Sequence, residues 1–124
     1  MKEKDRTPED FLPLSVPVFH ILLAMIDGPR HGYGILLEVE GRTRGAVRIG
    51  TGTLYTALKR LLLWGLVDES DSRPDPDLDD ERRRYYRLTR KGMEVVRAEA
   101  KRMELLVGMA RHKSVLLPSE REST

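Results

Sequence analysis

The sequence contains no cysteine, which excludes disulfides, thiol catalysis and cysteine-based zinc sites. Its three histidines, His20, His31 and His112, are too few and too scattered for a metal centre. Aromatic residues make up only 6% of the chain, with a single tryptophan, Trp64. The longest apolar run, residues 21–26, falls far short of the ~20 residues that a membrane span requires. Residues 1–10 mix acids and bases with no apolar stretch ahead of a cleavage site, so no secretion signal is expected and a cytoplasmic location follows by default. Internal repeats and low-complexity tracts are absent. What is present suits a globular protein: 40% apolar and 34% charged residues over 124 positions, enough for one hydrophobic core and too little for two.

The formal net charge of +2 hides an uneven distribution. Residues 68–81 hold eight acids against one base, Arg73, so the remainder of the chain carries +9. Such a division suggests a basic body suited to a polyanion, with an acidic loop set apart from it.

Residues 1–12 are polar and proline-containing, and a flexible arm is expected there. Ser15 can cap a first helix with Pro17 in its opening turn, Val18, Ile21, Leu22 and Met25 forming its buried stripe and Gly28-Pro29 ending it. A second short helix fits residues 31–42, with Ile35, Leu36 and Val39 turned inward. A third is expected over residues 53–65, Thr51 and Thr53 offering capping hydroxyls, Leu54, Ala57, Leu58 and Leu61 its apolar stripe and Gly65 its stop. Residues 66–67 and 83–88 read as two strands of a hairpin with a long Pro/Asp-rich tip, and alternation would turn Tyr86 and Leu88 inward and Arg83, Tyr85 and Arg87 outward. Thr89 can cap a last helix of roughly 25 residues, ~37 Å long.

Three short helices, a hairpin and a long helix describe a mainly α, α+β chain: a winged helix-turn-helix at residues 13–88 with a two-stranded wing, a dimerisation helix at 89–113, and a flexible tail at 114–124.

Three segments carry a resemblance: His31-Gly32-Tyr33-Gly34-Ile35; Gly52-Thr53-Leu54-Tyr55 continuing through Ala57-Leu58-Lys59-Arg60-Leu61 to Gly65-Leu66-Val67; and the run Arg82 to Thr89 followed by Gly92. Together they resemble the PadR family of bacterial transcription regulators in its short form with one C-terminal helix. Thr51 and Thr56 stand where family members often carry proline or glycine, Trp64 where a charged residue is usual, and the wing loop is longer and more acidic. The resemblance implies a repressor that blocks polymerase at a promoter, dimerises through its last helix and in some members is released by a small ligand.

In a helix-turn-helix the second helix of the motif enters the major groove with its N-terminal side chains leading. The candidate contacts are Thr51, Thr53, Tyr55, Thr56, Lys59 and Arg60 on the third helix, Tyr33 on the second, and Arg82, Arg83 and Arg84 at the base of the wing. Tyr33 and Tyr55 suit a packing role equally well. His31, at a helix start, is expected to satisfy backbone groups. The arginines could pair with Asp79, Asp80 and Glu81 when nucleic acid is absent.

Along the last helix Met93, Val96, Ala100, Met103, Val107 and Ala110 recur at spacings of three and four, a seam longer than three short helices can cover, which favours a homodimer. Met25, Met93, Met103 and Trp64 could line a pocket for a small-molecule effector, although methionine at helical spacing also suits plain core. No cofactor is called for. An enzyme would need a clustered nucleophile, acid/base pair, metal or phosphate loop, and none is found. The better rival to double-stranded DNA is a protein partner for a winged-helix adaptor, which exposed Leu63 and Trp64 would favour.

Overall fold

A computed structural model describes residues 6–71 and 83–118. Its elements run α1 (Val16–Leu23), β1 (Arg30–His31), α2 (Gly32–Arg42), α3 (Thr51–Leu63), β2 (Val67–Ser70), β3 (Tyr85–Leu88) and α4 (Arg90–His112), preceded by a 3-10 turn at Pro8–Phe11.

Local chemistry sets most of these boundaries. Ser15 Oγ accepts the Val18 N–H at 3.3 Å to start α1, with Pro17 in the opening turn. The His31 ring accepts the Gly34 N–H through Nδ1 at 3.0 Å and so caps α2, as expected. Beyond α3, Gly65 takes φ +73°, and the Leu66 N–H reaches the Leu61 carbonyl at 3.0 Å while the Gly65 N–H reaches Leu62 at 3.1 Å, a Schellman closure. Thr89 Oγ1 accepts the Gly92 N–H at 3.0 Å and donates to the Gly65 carbonyl at 2.7 Å, fastening the start of α4 to the end of α3.

The core gathers the inward faces of all four helices: Ile21, Leu22, Ile35, Val39, Leu54, Leu58, Leu61 and Val95, closed by Leu66 and Val67. Gly92 is buried against the hairpin, where a Cβ would collide with the Leu66 carbonyl and come within 2.7 Å of Leu88 Cδ1.

Several expectations are corrected. The two-stranded wing is present as β2 paired with β3, but β1 was not foreseen: it extends the pair into a three-stranded antiparallel sheet in the order β1-β3-β2, with His31 opposite Tyr85 and Arg30 opposite Tyr86. Two residues are too short to show alternation in a sequence. The extra strand also explains why Tyr85 is buried rather than outward, since its ring meets the His31 imidazole edge-on at 5.2 Å. Helix α3 begins at Thr51, with extended Gly50 as its N-cap and no side-chain cap bond, so the threonine hydroxyls lie inside the first turn.

The flexible arm expected over residues 1–12 gives way, from Arg6 onward, to a docked segment. Phe11 is buried and its ring centroid lies 5.5 Å from that of Trp64, while the Arg6 guanidinium sits 4.0 Å above the Phe11 ring. Burying one phenyl ring is worth roughly 2 kcal/mol, which offsets part of the entropy of ordering the segment. At the other end, the tail expected from residue 114 continues in a closing turn: Ser114 takes φ +62° and the Val115 N–H reaches the Ala110 carbonyl at 2.9 Å. The acidic tip of the wing and Arg82 lie outside the described residues.

Candidate nucleic-acid interface

Helix α3 divides cleanly into two faces. Leu54, Leu58 and Leu61 are sealed in the core, and Thr51, Thr53, Tyr55, Thr56, Lys59 and Arg60 are all exposed on the other sides. Amphipathic spacing forces this: anchoring positions 54, 58 and 61 leaves 53, 56, 59 and 60 facing away. The first turn of α3 is free of acidic side chains, so its positive end is not neutralised from within the helix.

Beside it, α2 presents Tyr33, 59% exposed, at its own N-terminal turn, stacked parallel to the His31 ring at 6.5 Å. Tyr55 serves both of its expected roles. Its phenol lies against Gly32, where a Cβ would come within 2.9 Å of Tyr55 Cζ, while 48% of the residue stays accessible. A side chain at position 32 would displace the Tyr55 ring from this seat.

Where α2, α3 and the sheet meet, His31, Tyr33, Tyr55, Arg83, Arg84 and Tyr86 surround a cleft of about 550 Å³. Arg83 Nη1 lies 2.9 Å from His31 Nε2, and Arg84 Nη1 lies 3.5 Å from Glu69 Oε1. The Arg84–Glu69 pair is well exposed, as is Arg87–Asp68 at 3.6 Å, so neither holds its arginine strongly. Burial, followed by the neighbouring Tyr55 and Glu69, pushes the Tyr86 phenol above its usual range and keeps its proton in place as a donor. Farther along α3, the Arg60 guanidinium stands 5.7 Å from the Trp64 ring centroid.

The sequence-predicted contacts Tyr33, Tyr55, Arg83 and Arg84 thus come together around one cleft, and Thr53, Thr56 and Arg60 line a second, between α3 and the start of α1. His31 belongs to the first cleft as well as to the α2 cap, a double placement that its spacing from Tyr33 alone did not disclose. Arg48, 76% exposed on the α2–α3 connection, is a further cation of this region that the motif-based reading passed over.

A family model described as the transcriptional regulator PadR-like family matches residues 21–98, which spans α1 through the first part of α4. The chain belongs to this PadR-like family. That is a family of regulators, not of enzymes, and among the described residues no helix is long and apolar enough to cross a membrane. A transcriptional regulator from Clostridium thermocellum superposes with a TM-score of 0.63 at 25% identity, covering 82% of this chain and 92% of that one. A PadR family transcription regulator from Clostridium difficile gives 0.64 at 22% identity, covering 79% and 97%. Bacillus subtilis PadR, solved in complex with operator DNA, gives 0.55 at 20% identity over 68% of this chain and 47% of that one, a likeness of fold. In sequence, 88 residues are 38% identical to an uncharacterized 37.1 kDa protein in transposon Tn4556 of Streptomyces fradiae. The chain spans 23% of that relative's length.

The last helix of this PadR-like chain departs from the expected seam. Val96 is buried in its own domain's core and Met93 is half-buried beside it, so both are engaged by the chain's own fold. From Ala100 onward no side chain of α4 is fully buried, and Leu105, Leu106 and Met109, at 62%, 48% and 54% exposure, add to Met103, Val107 and Ala110 an apolar surface wider than one stripe. The seam reading missed these three because it followed a strict three-and-four alternation. Of the four residues expected to line an effector pocket, Met25 and Met93 meet in a slot of about 490 Å³, whereas Trp64 lies with Phe11 elsewhere and Met103 does not join.

Proposed function

We propose that this chain is a sequence-specific DNA-binding transcription regulator, acting as a homodimeric repressor on a two-fold symmetric operator. The observation that carries the reading is the outward face of α3, with its hydroxyls, Lys59 and Arg60 exposed beside the Tyr33, Tyr55, Arg83 and Arg84 cleft. Thr53, Thr56, Lys59 and Arg60 would read base edges and phosphates from the major groove, while Arg83 and Arg84 neutralise the backbone beside it. Its fold likeness to a PadR solved with operator DNA supports this reading. The uncovered apolar end of α4 supplies the dimer surface, and two copies would set their α3 helices about one turn of DNA, ~34 Å, apart. The Met25–Met93 slot is where a small effector would enter.

Selection from a pool of random duplex DNA by the purified chain tests binding, specificity and two-fold symmetry: enrichment of a palindrome is the expected result, and no enrichment over the pool rejects the reading. In the same assay Lys59→Ala and Arg60→Ala weaken binding to the selected sequence at near-physiological salt with folding unchanged. The adaptor reading keeps one observation in its favour, Leu63 at 72% exposure on the same helix, and would be upheld by a protein partner whose binding Leu63→Ser abolishes.

A further inference from the structure

Among the described residues Glu99 is the only charged side chain in the buried set, 1% exposed. One carboxylate oxygen accepts the Leu14 N–H at 2.6 Å, joining positions 85 residues apart, and the other takes the Nε–H of Arg102. The Arg102 contact, opposed by burial and helped by the Leu14 N–H, holds the carboxyl below the usual range for glutamate. A buried ion pair is poor value as a source of stability, because an apolar side chain of similar volume often does as well. Its position points to another use.

Glu99 sits where α4 leaves the domain. Gly92, Val95, Val96 and Glu99 are the buried residues of the helix, and none after it is buried. Its partner Leu14 immediately precedes Ser15, the cap of α1, and Ser15, Pro17 and Val18 face Thr53, Thr56 and Arg60 of α3 across a groove of about 460 Å³. The Leu14–Glu99 bond therefore ties the last anchored turn of α4 to a segment lying beside α3.

We propose that Glu99 is a positioning residue: by holding α4 to Leu14 it fixes the direction in which the free half of the helix projects, and with it the separation of the two α3 helices in the dimer. This rests on the regulator reading above. The free half, 13 residues beyond Glu99, is a lever of about 20 Å at 1.5 Å per residue. A tilt of about 10° at its base moves the far end by roughly 3.4 Å, the rise of one base pair. Small losses of definition at Glu99 thus become changes of register on DNA.

The test is selection from a random duplex pool by the full-length wild type, E99L and E99Q, with melting curves for each. The wild type should enrich one half-site at one centre-to-centre separation. E99Q, whose amide oxygen still accepts from Leu14, should keep that separation. E99L should select the same half-site at two or more separations, its preference between neighbouring separations falling from about tenfold to threefold or less. A folded E99L that keeps the single wild-type separation overturns the proposal. If E99L does not fold, L14P decides: proline lacks the N–H that Glu99 accepts while the Glu99–Arg102 pair stays in place, and a widened separation supports the proposal while an unchanged one overturns it. Failure of the wild type to enrich any palindrome instead removes the regulator reading, and this proposal with it.

Discussion

The two halves of α4 are one uninterrupted helix in contrasting surroundings. Its first ten residues carry Gly92, Val95, Val96 and Glu99 into the core, whereas the following thirteen leave Leu105 and Met109 more than half exposed. The exposed half is the more apolar, with seven such residues in thirteen against four in ten, so the difference lies in what each half meets: the first half packs on the hairpin and the N-terminal turn, and the second has outrun them. A helical hydrophobic pattern records that a face will be covered, not whether its own chain or another will cover it.

The sharpest way to break the contrast is the same substitution in both halves. Gly92→Ala drives a methyl into the Leu66 carbonyl and Leu88, and should lower the unfolding free energy by about 3 kcal/mol or more in urea titration. Gly108→Ala, where a Cβ meets nothing within 4 Å, should instead raise it by up to about 1 kcal/mol through helix propensity. A large loss at Gly108 would mean that the second half is tightly packed after all.

Next in size is the double change L105E/M109E. It should leave the domain folded by circular dichroism and convert the proposed dimer to a monomer in sedimentation, abolishing any rise of the melting temperature with protein concentration. At the join with the hairpin, Thr89→Ala removes both the cap on Gly92 and the bond to Gly65, with an expected loss of about 1 kcal/mol in the same urea titration.

The smallest effect is pH-dependent. Because the folded carboxyl of Glu99 titrates below its unfolded counterpart, its contribution is fully present above the ordinary glutamate range and is lost as pH falls through the lowered folded value. The stability gap between the wild type and E99Q should accordingly be widest near neutrality and narrow on acidification below about pH 4.5. A gap that is constant from neutral to acid pH would show that the charge contributes nothing to folding.

Much of this architecture was legible beforehand because it rests on local rules. Ser15, Gly65 and Thr89 mark helix ends by hydrogen bonds within a few residues, and the Leu54-Leu58-Leu61 spacing settles which side of α3 is outward. The remaining features depend on contacts between distant residues. Strand β1 exists only because β3 passes beside it, and that pairing is also what buries Tyr85. Phe11 looked like part of a polar arm until Trp64 and α4 supplied its slot. Glu99 reads as one more charge on a helix until Leu14, far away in sequence, arrives to use it. At the candidate interface the motif gave the residue identities, and the approach of α2 to α3 over Gly32 gathered them around one cleft.

The contact of Phe11 with Trp64 has an optical consequence. Trp64 is the sole indole in the chain, stationed at the end of α3 with Arg60 near its ring and the N-terminal segment against it. Its fluorescence therefore comes from a single place, so that shifts in emission or quenching on titration with duplex or on dilution report directly on that junction without any introduced label.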